Sequence, residues 1–140
     1  MNSSSAPLSA ELGLRLVVPE HVAVPLVASL YYSNDDPYAI RMAFHVGLDE
    51  QVEWIFARDL LAAGMSQRSG DGDVQVWPAT DGDRDLLNIA LSSPFGQALF
   101  EAPSAAIAGF LRRTYEAVPD GEEGGFIDIE GELGDLFWRA

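Results

Sequence analysis

The sequence has no cysteine, which excludes disulfides, thiolate metal sites and cysteine nucleophiles. It also has no lysine: its 8 basic residues are all arginine, set against 22 acidic ones, for a formal charge of −14. The flexible ammonium groups that give long-range, poorly directed binding are therefore missing, and attraction to nucleic-acid phosphates or anionic lipid is disfavoured. His21 and His45 are the only histidines, so a histidine-rich metal site is excluded and any serine triad would have to use one of them. No serine sits in a nucleophile elbow; His45 falls on the polar side of a strand pattern and His21 in a loop. Long hydrophobic runs are missing too. The longest uncharged stretches, His21 to Asn34 and Leu86 to Phe100, are shorter than a bilayer span and contain Pro25 or the Ser92-Ser93-Pro94-Phe95-Gly96 turn. The start has no basic residue before Arg15 and so lacks the pattern of a secretory signal. Together these absences fit a cytoplasmic protein without membrane insertion.

Two motif searches end in exclusion. Asp81, Asp83 and Asp85 are spaced like the start of a calcium loop, but its glycine position holds Leu86 and its bidentate glutamate position Ser92. They read as solvated turn residues. Glycine-containing stretches are interrupted by acidic residues that repel phosphate, so no phosphate loop of the Walker or dinucleotide type is present. No acid, base and nucleophile converge in the pattern. The expectation is a non-enzyme without metal or cofactor.

What is present, 140 residues at 48% hydrophobic, suits one compact core, with residues 1–8 a flexible start and 9–140 a single domain. Period-two alternation predicts about seven short strands. Leu12, Leu14, Leu16 and Val18 form the inner side of the first, which stops at Pro19. After a Pro19–Pro25 connection, Leu26, Ala28 and Leu30 mark the second. Ile40, Met42, Phe44 and Val46 mark the third, and Val52, Trp54 and Phe56 share one side of the fourth. The spacing then changes: Ala57 to Ala63 predicts a short helix with Gly64 as a left-handed cap. Val74 and Val76, then Leu87, Ile89 and Leu91, form a hairpin about Thr80-Asp81-Gly82-Asp83, and Gln97 to Glu101 a last strand. Pro103 opens a longer helix with Ile107, Phe110, Leu111, Thr114 and Val118 on one face, stopped by Pro119. Arg112 and Arg113 fall in its last turns, where the helix dipole favours them. Glu116 to Asp135 holds eight acidic residues and reads as a solvated linker. Asp128 then caps a short terminal helix with Ile129, Leu133, Leu136 and Phe137 on its apolar side.

Trp54, Phe56 and Trp77 could form a stacking platform for single-stranded nucleic acid, but such platforms are bordered by cations. Glu53 flanks Trp54, and aspartate-rich loops flank Trp77, so all three read as core or subunit contacts. Trp138 reads as a contact with another chain. The exposed candidates for partner contact are Arg58, Asp59, Arg112, Arg113 and the turn at Gly121.

Several stretches in the same order carry a family resemblance: Asp36-Pro37-Tyr38-Ala39, Val52-Glu53-Trp54-Ile55-Phe56-Ala57-Arg58-Asp59-Leu60-Leu61, Val74-Gln75-Val76-Trp77-Pro78, Ala90-Leu91-Ser92-Ser93-Pro94 and Phe110-Leu111-Arg112-Arg113-Thr114. The chain resembles the SsgA-like proteins of sporulating actinomycetes over about residues 9 to 138. The resemblance implies an α+β fold similar to the Whirly fold, with two antiparallel β-sheets, helices and a bell-shaped homotrimer. It implies a developmental cell-division regulator at the septum that marks septum sites and recruits FtsZ, with SsgA or a related member as a further partner. The Whirly-like fold also implies an alternative, a single-stranded nucleic-acid-binding trimer, which the charge opposes.

Overall fold

Alternating apolar side chains build seven antiparallel strands: β1 Leu8–Val18, β2 Val22–Tyr32, β3 Ala39–His45, β4 Gln51–Ala57, β5 Val74–Asp81, β6 Arg84–Ser93 and β7 Gly96–Pro103. Two α-helices, α1 Arg58–Gly64 and α2 Ser104–Ala117, stand beside them among the described residues. The computed structural model describes residues 7–126. The terminal helix expected after Asp128, and Trp138, lie outside the described residues, as do residues 1–6.

The strands form one sheet in the order β4-β3-β2-β1-β7-β6-β5, where two sheets were expected. The expectation fails at one strand. β1 pairs with β2 along its whole length but with β7 only at Arg15–Glu101, Leu16–Phe100 and Val17–Leu99. Two meanders, β1–β4 and β5–β7, are thus joined by one short run of pairs. The sheet is strongly curled there. Phe44 on β3 and Phe100 on β7 are separated by two intervening strands, roughly 14 Å across a flat sheet, yet their rings stack with centroids 4.2 Å apart.

The concave side holds the core. Leu12, Leu14, Ala28, Leu30, Ile40, Met42, Phe44 and Phe56 from one meander meet Val76, Leu87, Ile89, Leu91 and Phe100 from the other, under Ile107, Phe110 and Leu111 of α2. The expected inward positions of β1 to β4 therefore hold except at the β3–β4 end, where Val46 lies just past β3 and it and Val52 are about half exposed. β2, however, begins three residues before Pro25, because β3 pairs only with Val27–Tyr31; earlier residues face an open edge, where a missing backbone donor costs little. Pro103, expected in the first turn of α2, stands just outside it at the N-cap position, with no side-chain capping bond.

Gly64 is not the left-handed cap that was expected, since its φ is not among the positive ones. It is needed for close packing. A Cβ at this position would lie 2.7 Å from the Val76 Cβ, so α1 can rest on β5 only where a side chain is missing.

Candidate functional site

Helical spacing places Arg58, Leu61 and Gly64 on the same buried face of α1. The Arg58 side chain, expected at the surface, is fully buried. Its Nη1 donates at 3.0 Å to the Thr114 carbonyl, which also accepts the Val118 N–H at 2.9 Å, and at 2.7 Å to the Val118 carbonyl just past the end of α2. Its Nη2 donates to Glu123 Oε2 at 2.6 Å, and the guanidinium lies 4.0 Å from the Tyr115 ring centroid and 5.2 Å from that of Tyr32. Its backbone N–H reaches the Tyr38 carbonyl at 2.7 Å. One arginine thus connects β2, α1, the end of α2 and the segment beyond it. A planar guanidinium, with donors spread along a rigid fork and a face that stacks on aromatic rings, suits these partners better than a compact ammonium.

The acidic stretch after Glu116 was read as solvated linker, and this too is corrected: Glu123 is buried. Its Oε1 accepts the Gly121 N–H at 2.9 Å. Gly121 itself is exposed in a turn closed by Glu122 N–H on the Pro119 carbonyl, with φ +87, a conformation that L side chains enter at a cost of roughly 1–2 kcal/mol. Backbone donors, its own N–H first, and then the Arg58 guanidinium hold the Glu123 carboxyl below its ordinary value. Asp59, exposed as expected, accepts the Tyr115 hydroxyl at 3.0 Å; burial, and then this bond, push the Tyr115 hydroxyl up.

Asp59, Asp120 and Glu123 bring carboxylate oxygens within 4.8 Å of one another. Glu123 is already committed to the Arg58 guanidinium and Asp59 to the Tyr115 hydroxyl, so two of the three carboxylates are occupied by donors of the protein itself.

The other expected positions separate. Phe56 is core and Trp54 is half buried on the concave side, packed against the core. Trp77 alternates to the convex side, half buried, with the Arg68 guanidinium 4.3 Å from its ring centroid. Arg112 and Arg113 are exposed but lie before the last turn of α2, too early for the dipole role expected of them. Arg113 Nη1 donates to the Ser9 carbonyl at 3.2 Å. His45 lies on the convex side as expected, its Nε2 2.9 Å from Ser29 Oγ. No helix among the described residues is long and apolar enough to cross a membrane.

Residues 26–123 match the family described as Streptomyces sporulation and cell division protein, SsgA. Sporulation-specific cell division protein SsgB of Thermobifida fusca is 57% identical over 96% of this chain and 98% of its own length. SsgB of Streptomyces coelicolor is 49% identical over 92% of this chain and 94% of its own. In three dimensions the chain superimposes with TM-score 0.87 on the crystal structure of an SsgA-like sporulation-specific cell division protein from Thermobifida fusca, 57% identical, covering 97% of this chain and 99% of that one. It superimposes with TM-score 0.86 on a structure reported with mutations in SsgB that correlate to longitudinal cell division during sporulation of Streptomyces coelicolor, 48% identical, covering 90% of this chain and 99% of that one.

Proposed function

The chain belongs to the SsgA family of sporulation and cell-division proteins, and on that premise we propose that it is a non-catalytic adaptor that marks septum sites and recruits FtsZ for sporulation-specific septation. It works in the cytoplasm at the septum as a homotrimer, with SsgA or a related family member as a second partner. The observation that carries this reading is the match along nearly the whole chain to relatives named sporulation-specific cell division proteins. A small oligomer suits the task physically: identical weak sites facing a filament of repeated subunits gain avidity without any strong single contact. Loss of the gene in its own organism is expected to stop sporulation septation; normal septa in such a strain would refute the reading.

Arg112 and Arg113 are the proposed partner contact, with exposed Asp59 and the Gly121 turn as further candidates. Positive charge is rare on this surface, and these two arginines are adjacent on one helix. Arg112→Glu with Arg113→Glu is expected to weaken FtsZ capture in a pull-down while light scattering shows an unchanged oligomer. Undiminished capture would remove this contact from the account.

The alternative of a single-stranded nucleic-acid-binding trimer is opposed by more than charge. Stacking needs open ring faces beside cations, whereas Arg68 covers Trp77 and Trp54 packs against the core. A saturable, salt-sensitive gel shift of an oligonucleotide would favour that alternative.

A further inference from the structure

The curl of the sheet leaves one end of the concave side open. There Leu16, Phe44, Trp54, Leu91 and Phe100 floor a cleft of about 330 Å³, whose only polar lining side chains among the described residues are Ser93 and Gln97. Two strand connections rim it. The β3–β4 connection brings Val46, with Val52 following on β4, and the β6–β7 connection brings Phe95; Val46 and Val52 are about half exposed and Phe95 is 99% exposed. Leu48, at the tip of the first connection, is also fully exposed. Large apolar side chains clustered at the tips of two connections are uncommon on a surface with no partner.

Among the described residues, the exposed charges of the two rims are acidic. Exposed Asp49 and Glu50 sit in the β3–β4 connection, closed by the Val46 N–H on the Glu50 carbonyl. Exposed Asp73 lies beside the other rim, its carbonyl accepting the Ser92 N–H. Neither connection contains an arginine. A volume at the small end of ligand pockets, roughly 300–1,000 Å³, admits one or two side chains and not a globular surface.

We propose that this cleft is a docking site for a short apolar segment of a partner protein, flanked by lysine or arginine. The apolar side chains enter between Phe44, Trp54 and Phe95, and the flanking cations meet Asp49, Glu50 and Asp73. An anionic lipid surface is the wrong occupant, because the acidic rim repels it. The inference deepens the adaptor reading and rests on it for the partner's biological identity, but the cleft is on the opposite end of β3 and β4 from Arg58, and its test uses no filament.

The test is calorimetric titration of the full chain with the synthetic peptide Lys-Lys-Leu-Phe-Ile-Lys-Lys and with its twin Glu-Glu-Leu-Phe-Ile-Glu-Glu. The basic peptide is expected to bind saturably and shift tryptophan emission, and the acidic twin to bind at least about tenfold more weakly. Replacing the exposed rim by Val46→Asn, Val52→Asn and Phe95→Asn keeps the net charge, so it is expected to lower affinity about tenfold or more through lost apolar burial alone. Three results would each overturn the proposal: no binding of the basic peptide, equal binding of the acidic twin, or unchanged affinity in the triple variant. Co-sedimentation of the protein with phosphatidylglycerol vesicles, lost in that variant, would overturn it in favour of a lipid surface. Failure here with intact binding to FtsZ filaments would leave the adaptor reading standing, and the reverse pair of outcomes would remove that reading alone.

Discussion

Arg58→Met is expected to lower folding stability by about 3 kcal/mol, the scale for removing one partner of a buried ion pair. The substitution keeps much of the side-chain volume but removes the side-chain donor from the Val118 carbonyl, leaves the Thr114 carbonyl with only the Val118 N–H, and leaves Glu123 without its cation. Arg58→Met combined with Glu123→Leu is expected to recover part of that loss, because no buried carboxylate then remains unpaired. Urea unfolding measures both, and a single variant as stable as the parent would show that the pair is dispensable. The pH dependence has a definite sign. Glu123 is held below the ordinary 4.5 of a glutamate, so its contribution is complete above that value and is lost as pH falls through the folded-state pKa. The stability gap between parent and Arg58→Met should therefore narrow on acidification below about 4.5.

Phe44→Ala is expected to cost more, roughly 3–5 kcal/mol, as for other buried phenylalanines. Phe44 is 1% exposed and stacks on Phe100 across the curl, so its loss removes a contact between the two meanders where only three backbone pairs join β1 to β7. The cavity would open into the cleft beside it. Denaturant unfolding gives the magnitude, and a loss below about 1 kcal/mol would mean that the meanders are held together elsewhere.

How much of this was legible in the sequence depends on the range of the interaction. Strand identity and inward face were readable because alternation is local: Ile40, Met42 and Phe44, or Leu87, Ile89 and Leu91, needed only their own neighbours. The Gly82 turn and the face of α2 were readable for the same reason. Sheet number was not, because it turns on three residue pairs between β1 and β7, more than 80 positions apart. Gly64 was misread since the sequence shows a glycine after a helix but not Val76 lying against it. Trp77 was grouped with Trp54 and Phe56 by residue type, although alternation from Val76 already put it on the other side.

Arg58 is the instructive miss at the site. Its charge suggested the surface, but its spacing of three from Leu61 pointed inward, and that signal was available. Glu123, its partner 65 positions away, was hidden in an acidic stretch whose other described members, Glu116, Asp120 and Glu122, are exposed. Asp59, Arg112, Arg113 and Gly121 were placed correctly on the outside, and the family motifs through Val52–Leu61 and Phe110–Thr114 carried the functional reading.

The central claim is that this chain is a direct adaptor for the division filament. Co-sedimentation with polymerised FtsZ from the same organism, after light scattering has established the oligomer, tests it most directly. The account predicts saturable pelleting that weakens in Arg112→Glu with Arg113→Glu. Protein that remains in the supernatant at every concentration would contradict it and assign recruitment to a third protein.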